Sequence, residues 1–357
     1  MDPYITISII PFVIWYFQNN IKYKDYILLS FLIFLILFIG FRFRIGPDTE
    51  TLFHIYDLIK VKSKPYFSLE FGYILLMTFF KILDLTFFHL QALLTFISLI
   101  IFFYISSKQK DKWFLIALAT PVYFLIIGIN STRQFTTITL FLLFLYLNDK
   151  NLTLKSFIVL AVGSLLHKSF IILTLPLFVF LLLIKYFNII KKYIIYIIPI
   201  FTTIILIVLF WQNNILINYA LTLIGYASAV YLALELYSDG YYIRIIFFSP
   251  FILIAAIIFK FNKNNYTRGI LIFFFFFVFS TFLLSLLSTT LADRFNFYLY
   301  AFMFFIILKF FELPQEVVKI KNLKLIFIIY NLIFMIIWLN FANIANNWYP
   351  YKNYLLQ

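Results

Sequence analysis

The stretch "SFIVLAVGSLLHKSFIILTLPLFVFLLLI", residues 156–184, decides the fold. It runs for 29 residues, and its only ionisable side chains are His167 and Lys168, side by side in the middle. One helix needs about 20 residues to cross the hydrocarbon core. The flanking segments are both basic: 148–155 carries Lys150 and Lys155, and 185–192 carries Lys185, Lys191 and Lys192. Basic loops stay on the cytoplasmic side. The stretch therefore crosses twice, and His167 and Lys168 fall at a hairpin tip on the outer side. Each arm has only 15–16 apolar residues, which sinks the tip below the outer surface. Isolated ionisable groups at that depth are functional candidates. The plainer alternative is that both satisfy helix-end carbonyls.

The same pattern extends over the 357 residues, of which 64% are hydrophobic and 12% charged. Continuous apolar runs recur from end to end, so the chain reads as an all-α polytopic membrane protein and not as a β-barrel, whose strands alternate. Tyr4–Phe17 is flanked by Asp2 instead of a basic cluster and reads as a retained span, not a cleaved signal. Without cysteine, disulfides and thiolate chemistry are excluded. Three histidines with no carboxylate cluster at ligand spacing give no metal site, and no cofactor is expected. The net charge of +14 reads as lysine-rich cytoplasmic loops and not as a nucleic-acid surface.

Spans are expected near 4–18, 26–41, 86–106, 113–129, 132–147, 152–166, 169–184, 193–211, 241–259, 269–290, 293–308 and 324–341. That makes about 12 within a range of 11–14, in a single transmembrane domain over 1–357 with both termini outside. The loops 19–25, 107–112, 148–155, 185–192, 260–268 and 309–324 hold 17 of the 28 basic residues. Residues 69–83, "LEFGYILLMTFFKIL", would invert every later loop if they crossed, so they read as a half-inserted or interfacial helix.

The outer side carries two longer loops, 42–85 and 212–240, and nine of the 14 acidic residues. Five of the six arginines also lie there: Arg42, Arg44, Arg133, Arg244 and Arg294. A guanidinium stays charged, grips phosphate with a planar fork, and is desolvated more cheaply than an ammonium. Arginines gathered at the outer edge point to a lipid-linked phosphate or diphosphate. The plainer reading has each one snorkelling or pairing locally, as Arg294 would with Asp293.

In "NSTRQF", 130–135, Asn130 and Ser131 are placed to cap a helix that Arg133 opens, with Gln134 beside it. An arginine in a first helical turn opposes the dipole unless an anion is near. "TTLADRF", 289–295, is built alike with Asp293 and Arg294, and "SDGYYIRII", 238–246, sets Tyr241 and Arg244 at the start of a span. In "FRFRIGPDTETLFHIYDLI", 41–59, Gly46-Pro47-Asp48 reads as a turn. "SLEFGYILL" supplies Glu70 as a base, a sugar-hydroxyl acceptor or an arginine partner. His54 reads as loop surface and His89 as a helix-end residue. No GxGxxG, Walker motif or nucleophile elbow is present.

The ordered set Arg44-x-Gly-x-Asp48, "LEFGYILL", "STRQF", "LLHKS" and "DRFNFYLYAF" resembles the EpsG-like branch of the Wzy polysaccharide polymerases across roughly 40–300. Thr49 stands where such proteins often carry an aromatic residue. The resemblance implies a metal-independent membrane glycosyltransferase related to the C-type transferases and the O-antigen ligases. Such an enzyme works on the periplasmic or outer face of a bacterial inner (plasma) membrane. It moves a growing glycan from undecaprenyl diphosphate onto an incoming undecaprenyl-diphosphate-linked repeat unit. Its partners would be those lipid-linked oligosaccharides, the bilayer and a chain-length regulator of the polysaccharide co-polymerase type. No nucleic acid is implied.

That reaction needs cations at a diphosphate and a group to deprotonate or orient a hydroxyl. Arg133, Lys168, Arg244 and Arg294 are the first expected phosphate contacts, with Arg42, Arg44, Gln134, Asp293 and Tyr241 around them. His167, Glu70 and Asp48 are the rival bases. Tyr226, Tyr231, Glu235, Tyr237 and Asp239 of loop 212–240 are candidates to cover acceptor sugars, or else form an interfacial belt. An O-antigen ligase, a 12-span flippase and a non-catalytic scaffold remain as other readings. A flippase would carry charges at mid-membrane depth, whereas these gather at one face.

Overall fold

The computed structural model describes residues 2–19, 21–59, 70–186, 238, 240–286, 288–314 and 322–356. Its regular elements are helices: α1 Pro3–Phe17, α2 Lys24–Leu35 continued by the π-helical Ile36–Gly40, α3 Pro47–Leu58, α4 Phe71–Ile82 and α5 Phe87–Ser107. The long α6, Lys112–Asn130, includes a π-helical stretch over Thr120–Ile127. There follow α7 Thr132–Asp149, α8 Thr153–Leu166, α9 Lys168–Tyr186, α10 Gly240–Phe261, α11 Asn265–Ser285, α12 Thr289–Asn296, α13 Leu299–Phe311 and α14 Leu323–Phe341. Among the described residues seven runs are long and apolar enough to cross a membrane, α12 and α13 counting together as one. Shorter apolar helices α1, α4 and α8 accompany them. Backbone polar groups have no water partner in lipid, so long apolar runs close their hydrogen bonds within helices. The chain is an all-α polytopic membrane protein.

Two compact units form, Met1–Leu143 with Lys319–Gln357, and Phe144–Val318. In the first, α6 is the central post, buried from Trp113 to Ile129 and packed by α1, α5 and α14. Lipid tails are as apolar as leucine, so helices in a membrane associate through close backbone approach and short polar side chains. Both devices are present. A Cβ on Gly40 would sit 2.8 Å from Ala92 Cα, so only glycine lets the end of α2 lie against α5. Ser98 donates to Thr136 across α5 and α7 (3.0 Å), and Tyr123 and Thr139 join α6 to α7 (2.6 Å).

One end of this unit is organised by Asp111, which caps α6 through the Phe114 N–H. Its carboxylate also accepts from Trp15 Nε1 (3.1 Å), Gln18 Nε2 (3.3 Å) and Lys324 Nζ (2.7 Å). The 19 residues of α6, about 28 Å of helix, separate that end from residues 130–133.

In the second unit Lys309, expected in a basic loop, is buried instead. It pairs with Asp149 at the end of α7 and with Glu312 (2.7 Å), and Thr267 of α11 donates to the same Asp149 (2.7 Å). The side chains of Lys309 and Asp149 are only 8% and 3% exposed, so removing one partner strands a charge. Lys309→Met is expected to lower the thermal midpoint of the detergent-solubilised protein by an amount equivalent to about 3 kcal/mol. An unchanged midpoint would show that the pair carries no stability.

Several expectations change. Besides the helix expected at 69–83, which is α4, the 42–85 loop contains α3, and Gly46-Pro47-Asp48 opens it: proline fits the first helical position and Asp48 complements the dipole. His54 therefore lies on a helix, paired with Glu50 (3.1 Å), not on loop surface. His89 is the helix-end residue expected, bound to Thr86 in a capping box. The run expected at 293–308 is broken at Phe297–Tyr298, and the one expected at 269–290 occupies 265–285. The span at 193–211 and loop 212–240, apart from Ser238 and Gly240, lie outside the described residues.

Candidate functional site

Three of the five sequence motifs meet in the first unit, around the tip between α6 and α7. Each of four consecutive side chains there reaches a different segment. Asn130 Oδ1 accepts from Trp348 Nε1 in the C-terminal tail (3.1 Å). Ser131 Oγ donates to Asp48 in the first turn of α3. Thr132 Oγ1 accepts from Arg42 Nη2 (2.8 Å). Arg133 Nη1 donates to Glu70 Oε2 (2.6 Å) at the start of α4. The side-chain oxygens of Asn130 and Ser131, expected to cap α7, thus tie down neighbouring segments. The Arg133 backbone sits in a first helical turn, where its charge opposes the dipole. The carboxylate of Glu70 supplies the required anion.

The seat of this tip is Gly46. Its φ is +98°, and a Cβ there would meet Ile129 O at 2.2 Å and Asn130 O at 2.9 Å. The 41–46 turn can therefore press directly on the backbone of 129–130. Arg42 is built into that turn, 1% exposed. It donates to Ile39 O (2.8 Å), Ile45 O (3.0 Å), Thr132 and Thr49. Burial draws its guanidinium down to about 9, so it stays charged at neutral pH. Its N–H groups serve the turn rather than an outside ligand. Arg44 is exposed, lies over Phe53 (5.0 Å) and is 3.8 Å from Glu50.

Between these elements is a small cleft of about 10 Å³, room for one water-sized group. Arg42, Asp48, Tyr73, Gln91 and Thr132 form its polar side, and Leu52 and Phe87 are among its apolar lining. Gln91 Oε1 is a buried acceptor with no partner among the described residues, and Arg133 Nε is a buried donor in the same condition. Arg133 stands over the Tyr73 ring at 5.4 Å and touches Glu70 through one nitrogen only. Its fork is therefore only partly used. Gln134 is half-buried beside it.

The other two motifs, with the "SDGYYIRII" segment, meet in the second unit. Arg244 grips Asp293 with two nitrogens, Nε at 2.6 Å and Nη2 closer, and lies over the Phe297 ring at 4.4 Å. Ser238 Oγ donates to the same carboxylate (3.0 Å). Asp293 was expected to hold Arg294. Adjacent residues on a helix point about 100° apart, so the carboxylate instead faces α10 while Arg294 is exposed. Tyr241 is buried and donates to Thr281 O (3.2 Å).

His167 ends α8, and Lys168 opens α9, half-buried. The Ser169 N–H donates to His167 Nδ1 (3.3 Å), which makes Nδ1 the unprotonated nitrogen. The Ser169 hydroxyl lies 2.8 Å from Nδ1 and 2.8 Å from Tyr298 OH. This chain joins the "LLHKS" tip to the break after α12. The one nitrogen of His167 able to take a proton is thus already engaged.

Residue-by-residue reading overlooked Gln91, Asn296 and the tail. A lone amide in the apolar run of α5 was the available signal for Gln91. Asn296 is fully buried one turn beyond Asp293, and neither side-chain polar atom has a partner among the described residues. Among those residues no three His, Cys, Asp or Glu side chains gather as a metal set.

Compared with known proteins, the chain matches the sequence profile of the EpsG family over residues 5–353. No curated protein and no solved structure matches it.

Proposed function

Because this chain belongs to the EpsG family, which is associated with polysaccharide polymerases, we propose that it is a Wzy-type polymerase working at the outer face of a bacterial plasma membrane. It transfers a growing glycan from undecaprenyl diphosphate to the sugar end of an incoming lipid-linked repeat unit. The observation that carries this reading is Arg133. It is largely buried, backed by an aromatic ring, held through one nitrogen by Glu70, and has a buried N–H still to give. A phosphate oxygen suits that donor.

In this reading the acceptor hydroxyl enters the cleft beside Asp48. Asp48 takes its proton as the oxygen attacks the anomeric carbon. The bond from that carbon to the diphosphate oxygen breaks, and the electron pair leaves with the diphosphate, whose charge Arg133 stabilises. Gln91 Oε1 holds the acceptor sugar by accepting from a neighbouring hydroxyl of the same ring. Glu70 positions Arg133. Asp48 is preferred to His167 because Ser131 takes only one of its two carboxylate oxygens, whereas Nδ1 of His167 is occupied by Ser169. Lys168, Arg244 and Arg294 are the proposed phosphate contacts of the second unit, where Asp293 orients Arg244.

Deleting the gene and running surface glycan on a gel tests the reading. Loss of the long ladder, with single repeat units still attached, supports a polymerase. Loss of all attached repeats, with lipid-linked units accumulating outside, would make it a ligase; accumulation inside would make it a flippase. Arg133→Lys should cut polymer formation about tenfold or more at unchanged protein level, since an ammonium cannot hold Glu70 and a phosphate in one plane. Full activity would remove Arg133 from the mechanism.

A further inference from the structure

The C-terminal segment, residues 342–356, was expected to be no more than an outer terminus. It is instead folded across the turn that carries Arg42. Trp348 is fully buried, packs at a tilt against the rings of Tyr4 (4.7 Å) and Trp338 (4.6 Å), and its carbonyl accepts from Tyr4 OH (2.8 Å). Beyond it the tail runs beside residues 41–43. Phe43 N–H donates to Lys352 O (2.9 Å), Tyr354 N–H donates to Phe41 O (2.7 Å), and Arg42 and Asn353 form an antiparallel bridge.

Helix ends explain why this contact matters. The last carbonyls of a helix lack intrahelical partners, and a residue from elsewhere can supply them. At the end of α2, Tyr351 OH donates to Phe38 O, and Asn353 Nδ2 donates to Leu37 O (3.0 Å), which otherwise has only the long Phe41 N–H bond (3.4 Å). The next carbonyl, Ile39 O, is taken by Arg42 itself. Tyr351 also stacks flat on Phe38, with centroids 4.2 Å apart and planes 7° from parallel. Burial pushes the Tyr351 phenol up to about 12, so it remains a donor at neutral pH.

From this arrangement we infer that the tail is a positioning element of the catalytic cleft: it caps α2 from outside and so holds the 41–46 turn, with Arg42 and Asp48, against the 130–133 tip. Tyr351 is its principal positioning residue. The inference rests on the polymerase reading for its effect on turnover, but its effect on the turn stands independently.

The test uses the full-length protein reconstituted in lipid vesicles with the lipid-linked repeat unit purified from a host lacking the gene. Tyr351→Ala removes both the stack and the hydrogen bond, and should lower kcat about tenfold or more through misplacement of the cleft. Tyr351→Phe keeps the stack and should lose only about two- to fivefold, the scale of one net hydrogen bond. Because the chain has no cysteine, a nitroxide on Arg44→Cys reports the turn directly. Its spectrum should be restricted with the native tail, mobile with Tyr351→Ala, and restored by Tyr351→Phe. Should Tyr351→Ala prove too unstable to reconstitute, the chain ending at Phe341 is assayed with and without a peptide of residues 342–357. Recovery of turnover and of the restricted spectrum supports the inference. A tail-deleted or Tyr351→Ala protein with native kcat and a native spectrum overturns it. If the native protein forms no polymer while the spectra behave as stated, the polymerase reading fails and the tail's hold on the turn survives.

Discussion

Gly46→Ala is expected to abolish surface polymer and to destabilise the first unit by roughly 3 kcal/mol, the upper range for backbone strain. Two penalties coincide. At φ +98° an L side chain is strained, and the added Cβ would lie 2.2 Å from the Ile129 carbonyl oxygen. A rotamer change cannot relieve a collision with backbone. Either the turn lifts away or the end of α6 shifts, and both movements pull Asp48 and Arg42 from Ser131 and Thr132. The measurements are the thermal midpoint in detergent and the glycan ladder in cells. A Gly46→Ala protein with native midpoint and ladder would mean that the turn does not adopt this conformation.

The second large effect concerns Asp293. Asp293→Ala leaves the Arg244 guanidinium without its carboxylate in a site where the Arg244 side chain is only 15% exposed, and should cost about 3–5 kcal/mol. Arg244→Met alone should be similarly damaging, because it strands Asp293. The double variant Arg244→Met with Asp293→Leu removes both charges and should recover most of the stability, since buried pairs often exchange for apolar side chains without loss. It should not recover activity, because the proposed phosphate contact is gone. A stable and active double variant would assign the pair to architecture alone. Failure of the double variant to regain stability would show that the pair contributes more than mutual neutralisation.

Sequence reading captured what is set by solvent. Apolar runs bounded by lysines became helices, and the tips that carry arginine became helix ends because charge and polar backbone both leave the hydrocarbon. The dipole of α7 announced an anion beside Arg133, and Glu70 is there. Pairings set by three-dimensional approach were not legible. Arg244 finds Asp293 across 49 residues, and Asp293 turns away from its neighbour Arg294 through simple helical rotation. The buried Lys309 looked like any loop lysine, since only the fold brings Asp149 to it. The tail carries tyrosine, tryptophan and asparagine, residues equally at home at a membrane interface, so composition alone gave no hint that it caps a helix near the other terminus.

The 130–133 tip has a consequence for protein engineering. Four neighbouring side chains are committed to the tail, the 41–59 stretch and the start of α4, so the parts cannot be exchanged singly. Grafting only the 41–59 segment from a relative would leave the recipient's Ser131, Thr132 and tail facing unfamiliar partners. Double-mutant cycles between tip residues should deviate strongly from additivity. A functional chimera should require co-transfer of 41–59, 70–82, 129–133 and 342–356, four stretches separate in sequence that behave as one exchangeable module.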